Sequence, residues 1–282
     1  MTDPTELRDS QRDRWEAAAP GWDERADTVR AAGAPVAEWL VDAAQLEPGG
    51  RVLEVAGGLG DVGILAAGRV GPSGEVLITD GAEAMTDAAA RRAAASNLGQ
   101  VKVERMEAEW LDAKTASFDA VLSRWGYMLV VDPEAALQEA RRVLMPGGRI
   151  AIAAWTAIEQ NPWMAIARSE FEGRGLMTAP EPDSPEPFRF GQPGIIAELL
   201  LAAGFIEPRV ETVDLVWTLA SLDDWWEHMR STSSMVGRAA VELSPAEHYE
   251  LREALDARYS EFLQPDGSLL LPGSTWVATA EA

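Results

Sequence analysis

The chain of 282 residues contains no cysteine, which excludes disulfides, thiolate metal sites and cysteine nucleophiles. No metal site is expected, and the absence fits a reducing cytoplasm. Histidine is scarce too: His228 and His248 are the only two. No run approaches the ~18 apolar residues that span a bilayer, and the opening M-T-D-P-T-E-L-R-D-S-Q-R-D-R-W lacks the apolar core of a signal peptide. Cations are few. With 24 Lys and Arg against 46 Asp and Glu, the formal net charge is −22, a field that repels nucleic acid and anionic membranes, with no Lys/Arg cluster as an exception. These absences predict a soluble, cytoplasmic protein with a small-molecule partner. The acidity reads as a solvated surface, and a preference for cationic or neutral substrates stays open. The length allows one large domain, or a domain with an inserted lid, around a substantial core.

What is present is organised around residues 51–67, R-V-L-E-V-A-G-G-L-G-D-V-G-I-L-A-A. Val52, Leu53 and Val55 read as a buried strand, Gly57, Gly58 and Gly60 as a tight turn, and the apolar run from Val62 as a helix packed on the sheet. Glycine lets the turn reach positive φ and lets a ligand approach the backbone, while the helix start offers unsatisfied N–H groups. Two details sharpen this. Ala56 stands where a dinucleotide fingerprint would begin, and the next strand, residues 75–79, ends in Asp80, 20 residues beyond Gly60, where an acid can accept from ribose hydroxyls. Glu54, an acid inside the first strand, is unusual for a nicotinamide site and suits a ligand bearing an ammonium group.

Glu54, the A-G-G-L-G loop, Asp80 with Met85 five residues on, M-E-A-E-W (106–110), S-F-D-A-V-L-S-R-W-G (117–126) and R-R-V-L-M-P-G-G-R-I-A-I-A-A-W (141–155) occur in one order. As a set they resemble the class I S-adenosylmethionine-dependent methyltransferases, closest to the small-molecule branch related to ubiquinone and menaquinone methyltransferases. The resemblance is firm over about residues 50–155. It implies an α/β fold with a Rossmann-like sheet, mostly parallel with a closing antiparallel strand, helices on both faces, an N-terminal helical lid and a C-terminal helical insertion. It also implies S-adenosylmethionine as cofactor, with S-adenosylhomocysteine as product. The cofactor residues it implies are Glu54, Ala56, Gly57, Gly58, Gly60, Asp80, Gly81, Met85, Glu107, Ala108 and Ser123. Among them Glu54 would serve the methionine amino group through water, Asp80 the ribose hydroxyls and Glu107 the adenine amine, where the family usually has aspartate. Trp110 or Met85 would flank the purine, with core packing as the equal alternative for each.

Along the chain, residues 1–46 read as the lid, 47–155 as the cofactor-binding core, 156–265 as a substrate-side insertion and 266–282 as the closing strand. Residues 5–30 are predicted helical with an interruption at Pro20-Gly21, and Trp15 and Trp22 serve either the lid or simple docking. A helix over 35–46 starts at a proline. Strands at 101–105, 118–123 and 149–155 alternate with helices at 82–96 and 133–144, the latter capped by Asp132, as a parallel sheet requires. Further on, a helix covers about 162–172. The proline-rich stretch 178–193 is an irregular connection, and a helix follows at 194–203, with a strand inside 206–219. Two helices then span about 221–240 and 244–263, and a strand over 269–279 is broken at Pro272-Gly273.

Chemistry is expected outside the carboxyl ends of the strands, where the strand order switches. Arg124 and Tyr127, just past the fourth strand, are better placed to face a substrate than either histidine. Arg124 either binds an anionic group bidentately or pairs with one of the many acids. His228, in D-D-W-W-E-H-M-R, is either a pocket wall and base or a half-exposed surface residue, and His248 reads as solvated. Methyl transfer needs mainly alignment and exclusion of water, with a base only for a weakly acidic hydroxyl or carbon. The 11 tryptophans point to a flat apolar or aromatic acceptor, methylated at O, N or C. The rival from another class is a cofactor-retaining protein of the same fold that catalyses a cyclisation or rearrangement, or only binds. A nicotinamide oxidoreductase is disfavoured by Ala56 and Glu54. A homodimer is compatible with this reading.

Overall fold

A computed structural model describes residues 3–181, 183–232, 235–241 and 243–282. The chain opens with two helices, α1 (Pro4–Glu24) and α2 (Ala26–Ala43), and then alternates: β1 (Arg51–Glu54), α3 (Asp61–Val70), β2 (Glu75–Asp80), α4 (Glu83–Ala95), β3 (Val101–Arg105), β4 (Phe118–Arg124), α5 (Pro133–Val143) and β5 (Leu144–Trp155). There follow α6 (Pro162–Gly173), α7 (Ile195–Ala202), β6 (Ile206–Leu219), α8 (Leu222–Ser231), α9 (Met235–Val241), α10 (Pro245–Tyr259) and β7 (Leu269–Glu281). The strands form one sheet in the order β3-β2-β1-β4-β5-β7-β6. Neighbours are parallel from β3 through β5, and β7 runs antiparallel to both β5 and β6. Consecutive burial of Val52, Leu53 and Glu54 in β1 and of residues 120–123 in β4 requires cover on both faces. The order reverses between β1 and β4, which opens a crevice beyond their carboxyl ends. No helix among the described residues is long and apolar enough to cross a membrane.

Several boundaries differ from those the sequence predicts, each for a physical reason. Helix α1 starts as expected, with the Asp3 side chain accepting from the Thr5 N–H at 2.8 Å and Pro4 in the first turn. It does not stop at Pro20-Gly21, however. Gly21 presses on the end of α8 so closely that a Cβ there would lie 1.7 Å from the Ser231 carbonyl oxygen, and this tertiary contact outweighs the propensity cost of both residues. The break falls at Arg25, and α2 runs through Pro35 rather than starting there. Strand β5 begins at Leu144, already paired with Phe118, so Met145 to Gly148 form an irregularity within the strand pair. Strand β7 is continuous across Pro272-Gly273. Pro272 lies opposite Val216 of β6, but β5 pairs with β7 only from Thr275 onward, so the proline sits where one side of the strand has no partner to disappoint. The helix expected over 221–240 is two elements, α8 and α9; Ser233 and Ser234 between them lie outside the described residues. Helix α10 ends at Tyr259 in a short 3₁₀ turn.

The stretch 178–193, of which Pro182 is outside the described residues, is irregular but docked. The Glu186 N–H donates to the Met128 carbonyl at 3.3 Å, Arg189 donates to the Val130 carbonyl at 2.9 Å, and Phe188 and Phe190 are buried. Burial of two phenyl rings stabilises by about 1.5–3 kcal/mol each, enough to fix a connection that has no regular structure of its own.

Candidate active site

The glycine loop after β1 folds back onto β2: the Gly57 N–H donates to the Thr79 carbonyl at 2.9 Å, and the Thr79 hydroxyl donates to the Glu54 carbonyl at 2.9 Å. A Cβ on Gly57 would come within 2.9 Å of Glu54 Cδ and Ile78 Cγ2, so glycine is required there for space. At Gly60 the requirement is packing and conformation together, since φ is +78° and a Cβ would lie 2.9 Å from Ile78 Cδ1. Ala56 holds φ +50° without being glycine, a strained choice for a residue with a side chain.

Three carboxylates converge on this loop. Glu54 is buried and accepts from the Gly63 N–H at 2.8 Å; burial pushes its carboxyl up to about 8, against the pull of that N–H and of Arg124. Asp80 accepts from the Gly58 N–H at 2.9 Å and the Ala82 N–H at 3.0 Å, tying the loop to the start of α4. Its carboxyl is raised to about 6, chiefly by burial, with Glu107 and Glu16 adding to the rise. Glu107 lies 3.6 Å from Arg12 of α1 and so close to Gly81 that a Cβ there would be 2.9 Å from Glu107 Oε2.

Helix α1 lies across the crevice. Glu16 accepts from the Ala84 N–H at 2.9 Å and also from the Glu83 N–H, supplying the N-terminal turn of α4 with the acceptor its own N-cap residue, Ala82, lacks. Asp23 pairs with Arg91 at 2.9 Å, Trp22 Nε1 donates to the Thr232 carbonyl at 3.1 Å, and Arg25 pairs with Asp224. With Arg8 paired to Glu109 at 3.3 Å the helix is held at both ends, and Trp15 and Trp22, packed edge to face at 5.7 Å, both dock it and line the space beneath.

That space is one cavity. At one end are Glu54, Ala56, Gly57, Gly58, Asp80, Gly81, Met85, Glu107 and Ala108, nine of the residues that the sequence assigned to the cofactor. At the other end tryptophans form the wall. Trp125 stacks on Trp155 at 4.3 Å and 16°. Trp163 lies 5.0 Å from Trp155 and 5.4 Å from Trp217, and Trp217 lies 5.2 Å from His228. Six of the 11 tryptophans line this cavity. Trp125 sits at φ +61°, a conformation that a bulky residue adopts only when its surroundings impose it. Here the stack on Trp155 and a 3.0 Å bond from its Nε1 to the Thr275 hydroxyl do so.

Other expected residues fall elsewhere. Gly60 caps α3 behind the wall, and Ser123 is fully buried on β4 with no partner for its hydroxyl; neither lines the cavity. Tyr127 does not face it either: the short 3₁₀ turn at residues 127–129 sends the Tyr127 ring into the core, while Met128 and Leu129 face the cavity. Burial with no hydrogen-bond partner pushes the Tyr127 hydroxyl far up. Arg124 lines the cavity and is ion-paired: it donates to Asp61 at 2.7 Å, a carboxylate it shares with Arg92. It lies over the Trp125 ring at 4.9 Å, while its Nη1 is buried with no hydrogen-bond partner among the described residues. His228 is not half-exposed. It is 5 % accessible, lines the cavity, and its Nδ1 finds no partner among the described residues; burial lowers it to about 4, so the ring is neutral near pH 7. His248 is half-buried and accepts from Trp226 Nε1 at 3.2 Å. Trp110 is 59 % exposed, under the Arg8 guanidinium rather than in the cavity. Sequence reasoning singled out none of Trp125, Trp163, Trp217 and Asp61; the tryptophan count hinted at the first three.

S-adenosylmethionine presents an ammonium, a ribose diol and an adenine amine, all hydrogen-bond donors. Glu54, Asp80 and Glu107 present acceptors, and a Cβ on Gly58 would meet no atom within 4 Å, leaving the backbone open to close approach. The donor set and the open cradle fit this group.

Comparison with known proteins agrees. The family described as a methyltransferase domain matches residues 52–148. Nocamycin O-methyltransferase of Saccharothrix syringae is 34% identical over 190 residues, covering 64% of this chain and 68% of that protein. A ubiquinone/menaquinone biosynthesis C-methyltransferase of Bordetella parapertussis is 36% identical over 153 residues, covering 49% of this chain and 59% of that protein. Among solved structures, the YcgJ protein of Bacillus subtilis superposes with a TM-score of 0.58 at 15% identity, over 87% of this chain and 97% of that one, a likeness of fold. The chain belongs to the class I S-adenosylmethionine-dependent methyltransferases of small-molecule type.

Proposed function

We propose that the protein moves the methyl group of S-adenosylmethionine to O, N or C of a small, flat, apolar or aromatic acceptor. The observation that carries this is the continuity of a single cavity from the three carboxylates to the wall of Trp125, Trp155, Trp163 and Trp217. In this reading Glu54 serves the methionine ammonium, Asp80 the ribose hydroxyls and Glu107 the adenine amine. Arg12 shares Glu107 and so couples α1 to that end of the site. Bound S-adenosylmethionine supplies an electrophilic methyl on a sulfonium that leaves without needing a proton. The protein's share is placement. Tryptophan faces hold a planar acceptor in one orientation, and α1 keeps water out, so the entropy of alignment is met before reaction. His228, neutral and facing the cavity, takes the proton when the acceptor is a hydroxyl or a carbon acid. A cytoplasmic site of action belongs to the same reading, in keeping with the missing cysteines.

The test is a panel of small planar phenols, enols and amines incubated with S-adenosylmethionine and read by mass. Methylated product and S-adenosylhomocysteine are expected in equal amounts. A product of unchanged mass, formed without S-adenosylhomocysteine, would replace methyl transfer with an isomerisation.

A further inference from the structure

Four arginines line the cavity: Arg8, Arg12, Arg14 and Arg124. Three are ion-paired. Arg8 pairs with Glu109 at 3.3 Å, Arg12 with Asp9 and with Glu107 at 3.6 Å, and Arg124 with Asp61 at 2.7 Å. Arg14 is different. Among the described residues no carboxylate lies within 4.0 Å of its guanidinium, which donates to Gln11 Oε1 at 3.3 Å. Of the four arginines that line the cavity, Arg14 alone has no ion pair among the described residues.

Its surroundings narrow what could complete it. Gln11 sits one helical turn earlier on α1 and also lines the cavity. Its oxygen accepts from Arg14, which leaves its amide nitrogen as a donor, so the pair presents N–H groups on two side chains. Glu186 is close enough for its field to be felt, but its carboxylate lies 3.6 Å from Arg168 instead. Burial and the nearby Arg238 hold Arg14 down to about 10, so it remains charged at neutral pH with no carboxylate of the described residues in contact. Pro187, next to Glu186, also lines the cavity. That places Arg14 by the docked 178–193 stretch rather than among Glu54, Asp80 and Glu107.

We propose that Arg14, oriented by Gln11, is an anion subsite at the mouth of the tryptophan chamber, and that the acceptor is a planar molecule carrying a carboxylate or an equally acidic enol. The ring lies against the tryptophans, and the anionic group takes the guanidinium's free N–H donors. This rests on the proposed acceptor chamber and goes beyond it by naming the acceptor's charge. It also overrides the expectation from net charge alone that anionic ligands are disfavoured, because a cation in contact acts at short range while the surface field is screened beyond about 10 Å at 0.1 M salt.

The test is calorimetric titration of the full chain, saturated with S-adenosylhomocysteine, with 2-naphthoate and with its neutral near-isostere 2-naphthamide. The carboxylate is expected to bind about tenfold or more tightly, as a charge-assisted contact predicts. The preference should shrink to about twofold or less in Arg14→Gln and persist in part in Arg14→Lys, which keeps the charge and loses the fork. Equal binding of both probes by the unaltered protein, or a preference that survives Arg14→Gln, overturns the subsite and leaves the chamber standing. Binding of neither probe by protein that still takes S-adenosylhomocysteine overturns both the chamber and the subsite.

Discussion

The two ends of the cavity are built by opposite means. The carboxylate end comes from one short piece of chain, β1 to β3, in which each contact lies next to a motif: Asp80 reaches back 22 residues to Gly58 and Glu54 forward nine to Gly63. The tryptophan end draws Trp125 from the end of β4, Trp155 from β5, Trp163 from α6, Trp217 from β6 and His228 from α8. Those elements meet only because β7 inserts between β5 and β6 and carries β6 to the edge of the sheet. The first end is polar, made of acceptors and backbone, and suited to one cofactor. The second is apolar and aromatic, with one neutral imidazole, and can be reshaped without disturbing the first. The difference teaches that cofactor and acceptor recognition should be separable by mutation.

The largest effect should come from filling the cofactor end. Gly57→Val would place atoms within 2.9 Å of Glu54 and Ile78, costing about 1–3 kcal/mol of overpacking. Binding of S-adenosylhomocysteine should fall below calorimetric detection while far-UV circular dichroism still reports the sheet. Retained binding would mean that the loop is not the cradle. Next comes His228→Asn at the other end, expected to lower turnover about a hundredfold with cofactor affinity unchanged. Turnover within about threefold of the parent would assign His228 to packing instead. Asp80→Ala should weaken S-adenosylhomocysteine by about tenfold to a hundredfold, as loss of charge-assisted hydrogen bonds requires. Acceptor KM should hardly move, and a parallel rise in both would deny the separation.

The smallest effect is a slope. Glu54 is raised to about 8 in the folded protein from an ordinary 4.5, so between those values the native state holds a proton that the unfolded chain has released. Stability therefore falls as pH rises through this window, because the unfolded chain gains free energy by releasing a proton that the buried carboxyl retains. Glu54→Gln should flatten that part of the stability–pH curve, read by urea denaturation from pH 5 to 8.5. A slope unchanged by the substitution would place its origin elsewhere, with Asp80, raised to about 6, as the next group to replace.

What could be read from the sequence follows the same division. The strand–glycine–helix unit, Asp80 at the end of β2 and the alternation through β5 are local patterns, and local patterns survive folding. The run of α1 through Pro20-Gly21 is not local, because it depends on the close fit of Gly21 against Ser231, 210 residues away. Tyr127 was expected to face the substrate because it follows β4, yet the tight turn at residues 127–129 reverses its direction. The strained Trp125 carries no mark in the sequence at all. Its conformation is imposed by Trp155 and Thr275, which only the assembled sheet brings to it. Arg14 carries no mark in the sequence either; it stands out only beside the ion pairs of Arg8, Arg12 and Arg124.

The central claim, a carboxylate crevice that holds S-adenosylmethionine beside a separate acceptor chamber, is tested most directly by calorimetric titration with S-adenosylhomocysteine, with NAD as control and Asp80→Ala alongside. Saturable binding of S-adenosylhomocysteine alone, weakened at least about tenfold in Asp80→Ala, is the predicted result. Binding of NAD in its place, or S-adenosylhomocysteine affinity indifferent to Asp80, would contradict it.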